Sequence, residues 1–235
     1  MADPTARKTK VPMCFSATAS FGAATVLAGV GTISIHQNTS RRHRMMALIP
    51  LLFALQQSAE GIVWLTIDRP AEALLLSLSV NVFLGFALVV WPTWLPVSLL
   101  LLEGDARRQR FMRVSVWIGA AVSAAGVLVL VLRPPVVRIA GHSIAYGYPN
   151  LGNRAIEIGY FLLYLVPAVV PAFLSRMRLA HWIGGVLLVS LIMTIVIKVQ
   201  ALTSVWCFFA TAISCLIVLG THKRQRLPKA MLALT

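Results

Sequence analysis

The feature that most constrains this chain is a series of long apolar runs. Seven of them, at about 15–36, 46–67, 72–95, 113–132, 156–174, 179–197 and 201–220, each extend for about 17 to 25 residues with few charges. An α-helix of that length crosses a hydrocarbon core of about 30 Å. Lipid offers no partner to a backbone N–H or C=O, so each run must close its hydrogen bonds within itself, as a helix. The predicted fold is an all-α, polytopic transmembrane bundle of seven spans over residues 13–222, with a basic tail over 223–235. Only 12% of the residues are charged, about half the share in a soluble domain. The first run is too long for a cleaved signal peptide and lacks a convincing cleavage site, so it reads as a span.

The net charge is +14, from 21 Lys+Arg against 7 Asp+Glu. In a soluble protein that balance points to nucleic acid. Here the cations cluster between apolar runs, the pattern that orients membrane proteins, so the expected partner is the lipid bilayer and not nucleic acid. With the N-terminus outside, thirteen cations lie on the cytoplasmic side: Arg41, Arg42, Arg44, Arg107, Arg108, Arg110, Arg113, Arg176, Arg178, Lys223, Arg224, Arg226 and Lys229. Eight lie outside: Arg7, Lys8, Lys10, Arg69, Arg133, Arg138, Arg154 and Lys198. The bias predicts N-terminus outside and C-terminus inside.

Two boundaries need a special device. The third run continues to Leu102, too far to cross upright, so Trp91-Pro92-Thr93-Trp94-Leu95-Pro96 is expected to kink or end it. Both tryptophans are expected at the interfacial level. The sixth and seventh runs are separated only by Lys198-Val199-Gln200, which predicts a tight turn.

The run Met13-Cys14-Phe15-Ser16-Ala17-Thr18-Ala19-Ser20-Phe21 resembles the opening of a family of uncharacterised bacterial multi-pass membrane proteins. Ile49-Pro50-Leu51-Leu52-Phe53-Ala54-Leu55-Gln56-Gln57-Ser58-Ala59-Glu60-Gly61-Ile62-Val63-Trp64-Leu65 is similar to that family too, as are Trp91-Pro92 and Val205-Trp206-Cys207-Phe208. The resemblance implies a bacterial plasma-membrane protein and supplies no reaction or ligand. It also implies a first residue at Met13, so residues 1–12 are expected to be an upstream extension or a misassigned start.

Ser20, Ala24, Ala28 and Thr32 recur every four residues on the first helix, and Gly119 with Ser123 on the fourth. Small residues at this spacing predict close helix approach. No repeat of 20–50 residues is evident, so nothing supports an inverted-repeat transporter.

An ionisable group inside a span is costly, by about 2.5–3.5 kcal/mol for Asp, Lys or Arg at mid-helix. Glu60 is the clearest such case, lying roughly 10 Å below the outer end of the second helix. Gln57, Glu60 and Trp64 follow i, i+3, i+7 spacing and Gln56 precedes Glu60 by four, so all four share a broad face expected to point inward. A carboxyl flanked by amides and an indole N–H can bind a cation, carry a proton or hold a polar ligand. The same groups can equally form a structural knot between helices.

Lys198 falls at the outer turn, either as a counter-ion for Glu60 or snorkelling to the headgroups. Ser204, Cys207, Thr211 and Ser214 form a small polar stripe on the seventh helix, lining a route or packing helices. Trp206 joins them as a candidate ligand contact. Cys14 at the outer mouth can pair with Cys207 or act as a thiol, though nucleophilic use needs a nearby base. The loop Arg133–Asn153 is punctuated by Pro134, Pro135, Gly141, Gly147 and Pro149 and carries His142, Tyr146 and Tyr148. It is long enough to cap the outer opening or to serve as a plain connector. Glu157 and Tyr160, where the fifth helix begins, complete the candidate set; Glu157 also suits a helix N-terminus electrostatically.

Seven-helix zinc amidohydrolases of the ceramidase and adiponectin-receptor type resemble this chain in span count and orientation. They need a late His-x-x-x-His pair, and His36, His43, His142, His181 and His222 form none. The three cysteines form no CxxC or CxxH spacing, so no metal is expected. A retinal lysine would lie deep in the last helix, and Lys198 precedes it. No cofactor is implied. Three functions remain open: a polar pocket in the outer half that binds or passes a small polar ligand, ion or proton; a membrane enzyme using Glu60 as general acid/base; and a non-catalytic scaffold.

Overall fold

The computed structural model describes residues 16–38, 40–140, 143–148, 154–197 and 213–217. Among them the elements run α1 (Ala17–Gln37), α2 (Arg44–Thr66), α3 (Ala73–Gly85), α4 (Trp91–Leu102), α5 (Ala106–Leu132), β1 (Val136–Ala140), β2 (Ser143–Gly147), α6 (Arg154–Leu174) and α7 (Arg178–Ile197). Among the described residues, five helical stretches are long and apolar enough to cross a membrane: Ala17–Gln37, Arg41–Thr66, Pro70–Leu102, Ala106–Leu132 and Ala155–Leu174. The expected turn at Lys198–Gln200 and most of the seventh predicted span lie outside the described residues. The described turn at 213–217 sends Ile213 and Ile217 into the main core with Phe53, Leu95, Ala172 and Ile183.

Helices α1 and α2 pack as an antiparallel pair because glycine opens the contact at both ends. A Cβ on Gly31 would lie 2.7 Å from the Leu51 side chain, and one on Gly61 2.8 Å from the Phe21 ring. The buried stripe of α1 is Ser20, Ala24, Leu27, Gly31 and Ser34. This corrects the expected four-residue stripe. Ala28 is only half-buried and Thr32 is exposed, its hydroxyl donating to the Ala28 carbonyl at 2.8 Å. Steps of four alone drift around a helix of 3.6 residues per turn, so steps of three must alternate with them.

In the third run the expected ending is overturned, and the helix is distorted instead. Helical structure continues through Trp91–Pro96 to Leu102, with one π-helical turn at Phe86–Val90. Pro92 has no N–H to give the Leu88 carbonyl, and its ring crowds that carbonyl; the wider turn just before it relieves the conflict. Neighbouring side chains then take up the loosened carbonyls. Ser123 Oγ donates to Val89 O at 2.7 Å, and the Tyr164 hydroxyl to Ala87 O at 2.9 Å. Helix α5 reaches this backbone because its facing residues are small, as the sequence predicts for Gly119 and Ser123. A Cβ on Gly119 would collide with the Pro92 carbonyl oxygen, and one on Gly126 would lie 2.7 Å from that of Leu88.

Trp91 does not sit as an interfacial residue. It is buried in the core, its ring stacked on Phe53 with centroids 4.1 Å apart. Trp94 is half-buried and donates its indole N–H to the Met45 carbonyl at 3.0 Å, tying α4 to the start of α2.

The loop after α5 folds into an antiparallel hairpin, with Val137 opposite Tyr146 and Ile139 opposite Ile144. This departs from a purely α-helical expectation. Val136-Val137-Arg138-Ile139 is a short β-branched run, yet the prolines and glycines around it disguise its alternation.

The bundle therefore has two distinct ends. One carries the hairpin and the α2–α3 turn. The other gathers the α4–α5 and α6–α7 turns, joined by side-chain-to-backbone hydrogen bonds between Arg108 and Leu174 and between Glu103 and Arg176.

Candidate functional site

Among the described spans, α2 is the most enclosed, packed by α1, α3 and α4. Its polar residues Gln56, Gln57 and Glu60 are consequently buried, at 5%, 3% and 3% exposure. They share one face, as their spacing predicts, and a buried polar face survives only when its groups are paired. Gln56 Oε1 accepts the Trp91 indole N–H at 2.8 Å. Gln57 and Glu60 are each engaged in polar interactions as well. Trp64 is half-buried one turn beyond Glu60, against the apolar cluster of Ala59, Val63 and Phe83.

The hairpin docks directly on this end of α2. Ile144, 2% exposed, inserts among Ala59, Val63, Val80, Phe83 and Leu84. The Tyr146 ring stacks on Phe83 with centroids 4.9 Å apart and planes 14° apart. The segment is thus packed onto the helices and is more than a connector. Tyr148, just after β2, has a buried hydroxyl with no hydrogen-bond partner among the described residues. Burial, with Tyr160 alongside, pushes this phenol up to about 12. Tyr160 is half-buried, its hydroxyl 3.4 Å from the Val122 carbonyl. Glu157 is exposed in the first turn of α6, where its charge complements the helix terminus.

A separate cleft of about 280 Å³ opens between α3 and α5 beside the hairpin, lined by Ala73, Ser77, Asn81, Leu130, Pro134 and Val137 among others. The Glu60 group does not line it. Cys14, Lys198, Ser204, Trp206 and Cys207 lie outside the described residues. Ser214, at the far end of the expected polar stripe, is fully buried and engaged.

A second polar cluster, at the opposite end, escaped the sequence reading. Glu103 is 4% exposed. Its carboxylate accepts backbone N–H groups from Gly104 at 3.0 Å, Asp105 at 3.2 Å and, across the bundle, Arg176 at 3.0 Å. Burial raises the Glu103 pKa, but the Arg176, Asp105 and Gly104 N–H groups and the Ser175 hydroxyl together pull it below the ordinary value. Asp105 caps α5 by accepting from Arg107 N at 2.8 Å and Arg108 N at 3.3 Å, and pairs with Arg176 at 3.1 Å. Those backbone bonds, with the nearby arginines, hold its carboxyl low. Arg108 turns inward and donates to the Leu174 carbonyl at 2.7 Å. Glu103 and Asp105 stand among arginines in the sequence, which was the available signal. Their arrangement is a clasp joining two turns, with every carboxylate oxygen used locally.

Neither a curated protein nor a solved structure matches the chain. One family model does, over residues 13–233. The chain accordingly belongs to DUF6629, a family of unknown function.

Proposed function

We propose that this chain is a bacterial plasma-membrane protein of seven spans, N-terminus outside and C-terminus inside, which binds or passes a small polar ligand, cation or proton at Glu60. The observation that carries the proposal is the burial of Glu60 beside Gln56 and Gln57 in a helix apolar enough to cross a membrane. An ionisable group held there at a cost of a few kcal/mol needs a compensating partner or use. The hairpin packed over the same end of α2 would separate the group from bulk water. In this reading Trp64, Tyr160, Lys198, Ser204, Trp206 and Cys207 complete the surroundings, with Cys14 near the mouth and Glu157 at the rim.

A second reading, the non-catalytic scaffold, is favoured by the bond between Gln56 and Trp91, which commits one of the three polar groups to helix packing. Proteoliposomes carrying the purified chain separate the two. A proton or monovalent-cation flux that Glu60→Gln abolishes while the protein stays folded supports the site. A flux that Glu60→Gln leaves unchanged removes Glu60 from the path, and a loss of stability in Glu60→Gln with no flux in either protein supports the scaffold. Orientation is tested by placing single cysteines at Arg138 and Gln109 in a chain whose three native cysteines are serine. An impermeant maleimide on intact cells should label position 138 and spare position 109.

A further inference from the structure

Helix α5 is 27 residues long, about 40 Å, and exceeds a hydrocarbon core of about 30 Å by roughly two turns. Its C-terminal end is fixed by Arg133 and the hairpin, so the excess falls at the start, over about residues 106–112. That stretch must lie in the headgroup layer.

The arginines there divide by what they touch. Arg108 faces the bundle and is committed to the Leu174 carbonyl. Arg107, Arg110 and Arg113 are exposed and make no ion pair among the described residues. The nearby carboxylates are spent elsewhere, Glu103 on backbone N–H groups and Asp105 on its cap and Arg176. Between and below the arginines the same surface is apolar, with Phe111, Val114 and Trp117 at 57%, 55% and 75% exposure. Arg110, Arg113 and Trp117 follow i, i+3, i+7 spacing and share one face. Trp117 lies about 6–10 Å deeper than the two arginines, at the level of the upper acyl chains.

We propose that this face of α5 is a binding surface for an anionic phospholipid, its phosphate held by Arg107, Arg110 and Arg113 and its upper acyl chain lying along Val114 and Trp117. Charge selects the occupant: unpaired guanidinium groups favour an acidic headgroup over a zwitterionic one, whose own cation they repel. The inference depends on α5 crossing the membrane and is independent of any role for Glu60.

Native mass spectrometry of the full chain in detergent, offered equal phosphatidylglycerol and phosphatidylcholine with matched acyl chains, tests this. Each arginine at an anionic surface is worth about fivefold in binding. Phosphatidylglycerol should be retained at least about fivefold over phosphatidylcholine, and Arg107→Gln/Arg110→Gln/Arg113→Gln should remove the excess. Arg110→Gln alone should reduce it, which keeps the test open if the triple variant does not fold. Arg133→Gln/Arg138→Gln, at the other end, should leave it intact. Equal retention of the two lipids by the unaltered chain, or an undiminished preference in Arg110→Gln and the triple variant, overturns the proposal. So does a preference that disappears only with Arg133 and Arg138.

Discussion

The indole N–H of Trp91 meets the side-chain oxygen of Gln56 at 2.8 Å, linking α4 to α2 across 35 residues of sequence. Both residues are buried, and the Trp91 ring is stacked on Phe53 at the same time. A polar bond and an aromatic contact therefore converge on one side chain in the bundle core.

Breaking this pair should be measurable. Gln56→Leu strands the indole N–H in an apolar site, and the expected loss is about 1–3 kcal/mol in detergent unfolding. Trp91→Phe strands the amide oxygen and also loses ring contact, so it should cost at least as much. A double-mutant cycle should give a coupling of about 0.6 kcal/mol and no more than about 1.7, the average and the maximum for hydrogen bonds between membrane helices. Strictly additive effects would show that the bond contributes nothing.

Close approach of α5 to the Pro92 turn predicts a sharp difference among glycines. Gly119→Ala must push α5 away from the Pro92 carbonyl, and overpacking of this kind costs about 1–3 kcal/mol. Gly85→Ala, with nothing within 4 Å of the new methyl group, should be neutral or stabilising. Thermal unfolding of both variants decides the matter, and equal melting temperatures would remove the packing argument.

The clasp at Glu103 makes an acid-sensitivity prediction. Its folded pKa lies below the ordinary 4.5, so the stability it contributes is present above that value. It is lost as pH falls through the lower folded pKa. Glu103→Gln should destabilise the chain by about 2 kcal/mol at pH 7 and flatten the decline in melting temperature between about pH 5 and 3. An unaltered acid profile in Glu103→Gln would assign the sensitivity to other carboxylates.

Hairpin docking rests on Ile144. Truncation to Ala removes a side chain inserted among five apolar neighbours, at an expected cost of about 2–4 kcal/mol to that contact. Amide exchange over 136–147 should accelerate while exchange in the middle of α5 stays slow. Uniform acceleration would mean that the hairpin and the bundle open together.

Tyr148 gives the opposite sign. Its buried hydroxyl has no partner among the described residues, so Tyr148→Phe should leave stability unchanged or raise it by up to about 1 kcal/mol. Because its folded pKa is raised to about 12, stability is insensitive to this group up to about pH 10 and falls as pH climbs toward 12, a decline that Tyr148→Phe should lessen. Absorbance titration near 295 nm should show one fewer late-ionising tyrosine in the variant.

Much of this architecture is dictated by chain composition alone. Apolar runs of spanning length forbid unpaired backbone, so helices at 17–37, 44–66 and 106–132 are required wherever they pack. The shared face of Gln56, Gln57 and Glu60 follows from helical spacing, and their inward direction from the cost of polar groups in lipid. Small residues at Gly119 and Ser123 announce a close contact but not its partner. Tertiary structure decided the rest, because each remaining feature joins residues far apart in sequence. Trp91 enters the core because Gln56 and Phe53 receive it there. Pro92 is carried within a helix because Ser123 and Tyr164 satisfy the nearby carbonyls. The hairpin forms where α2 and α3 offer Ile144 and Tyr146 an apolar seat. Glu103 looks like an ordinary loop carboxylate until the Arg176 backbone closes over it. Local spacing says which face of a helix turns inward; only packing says what that face meets.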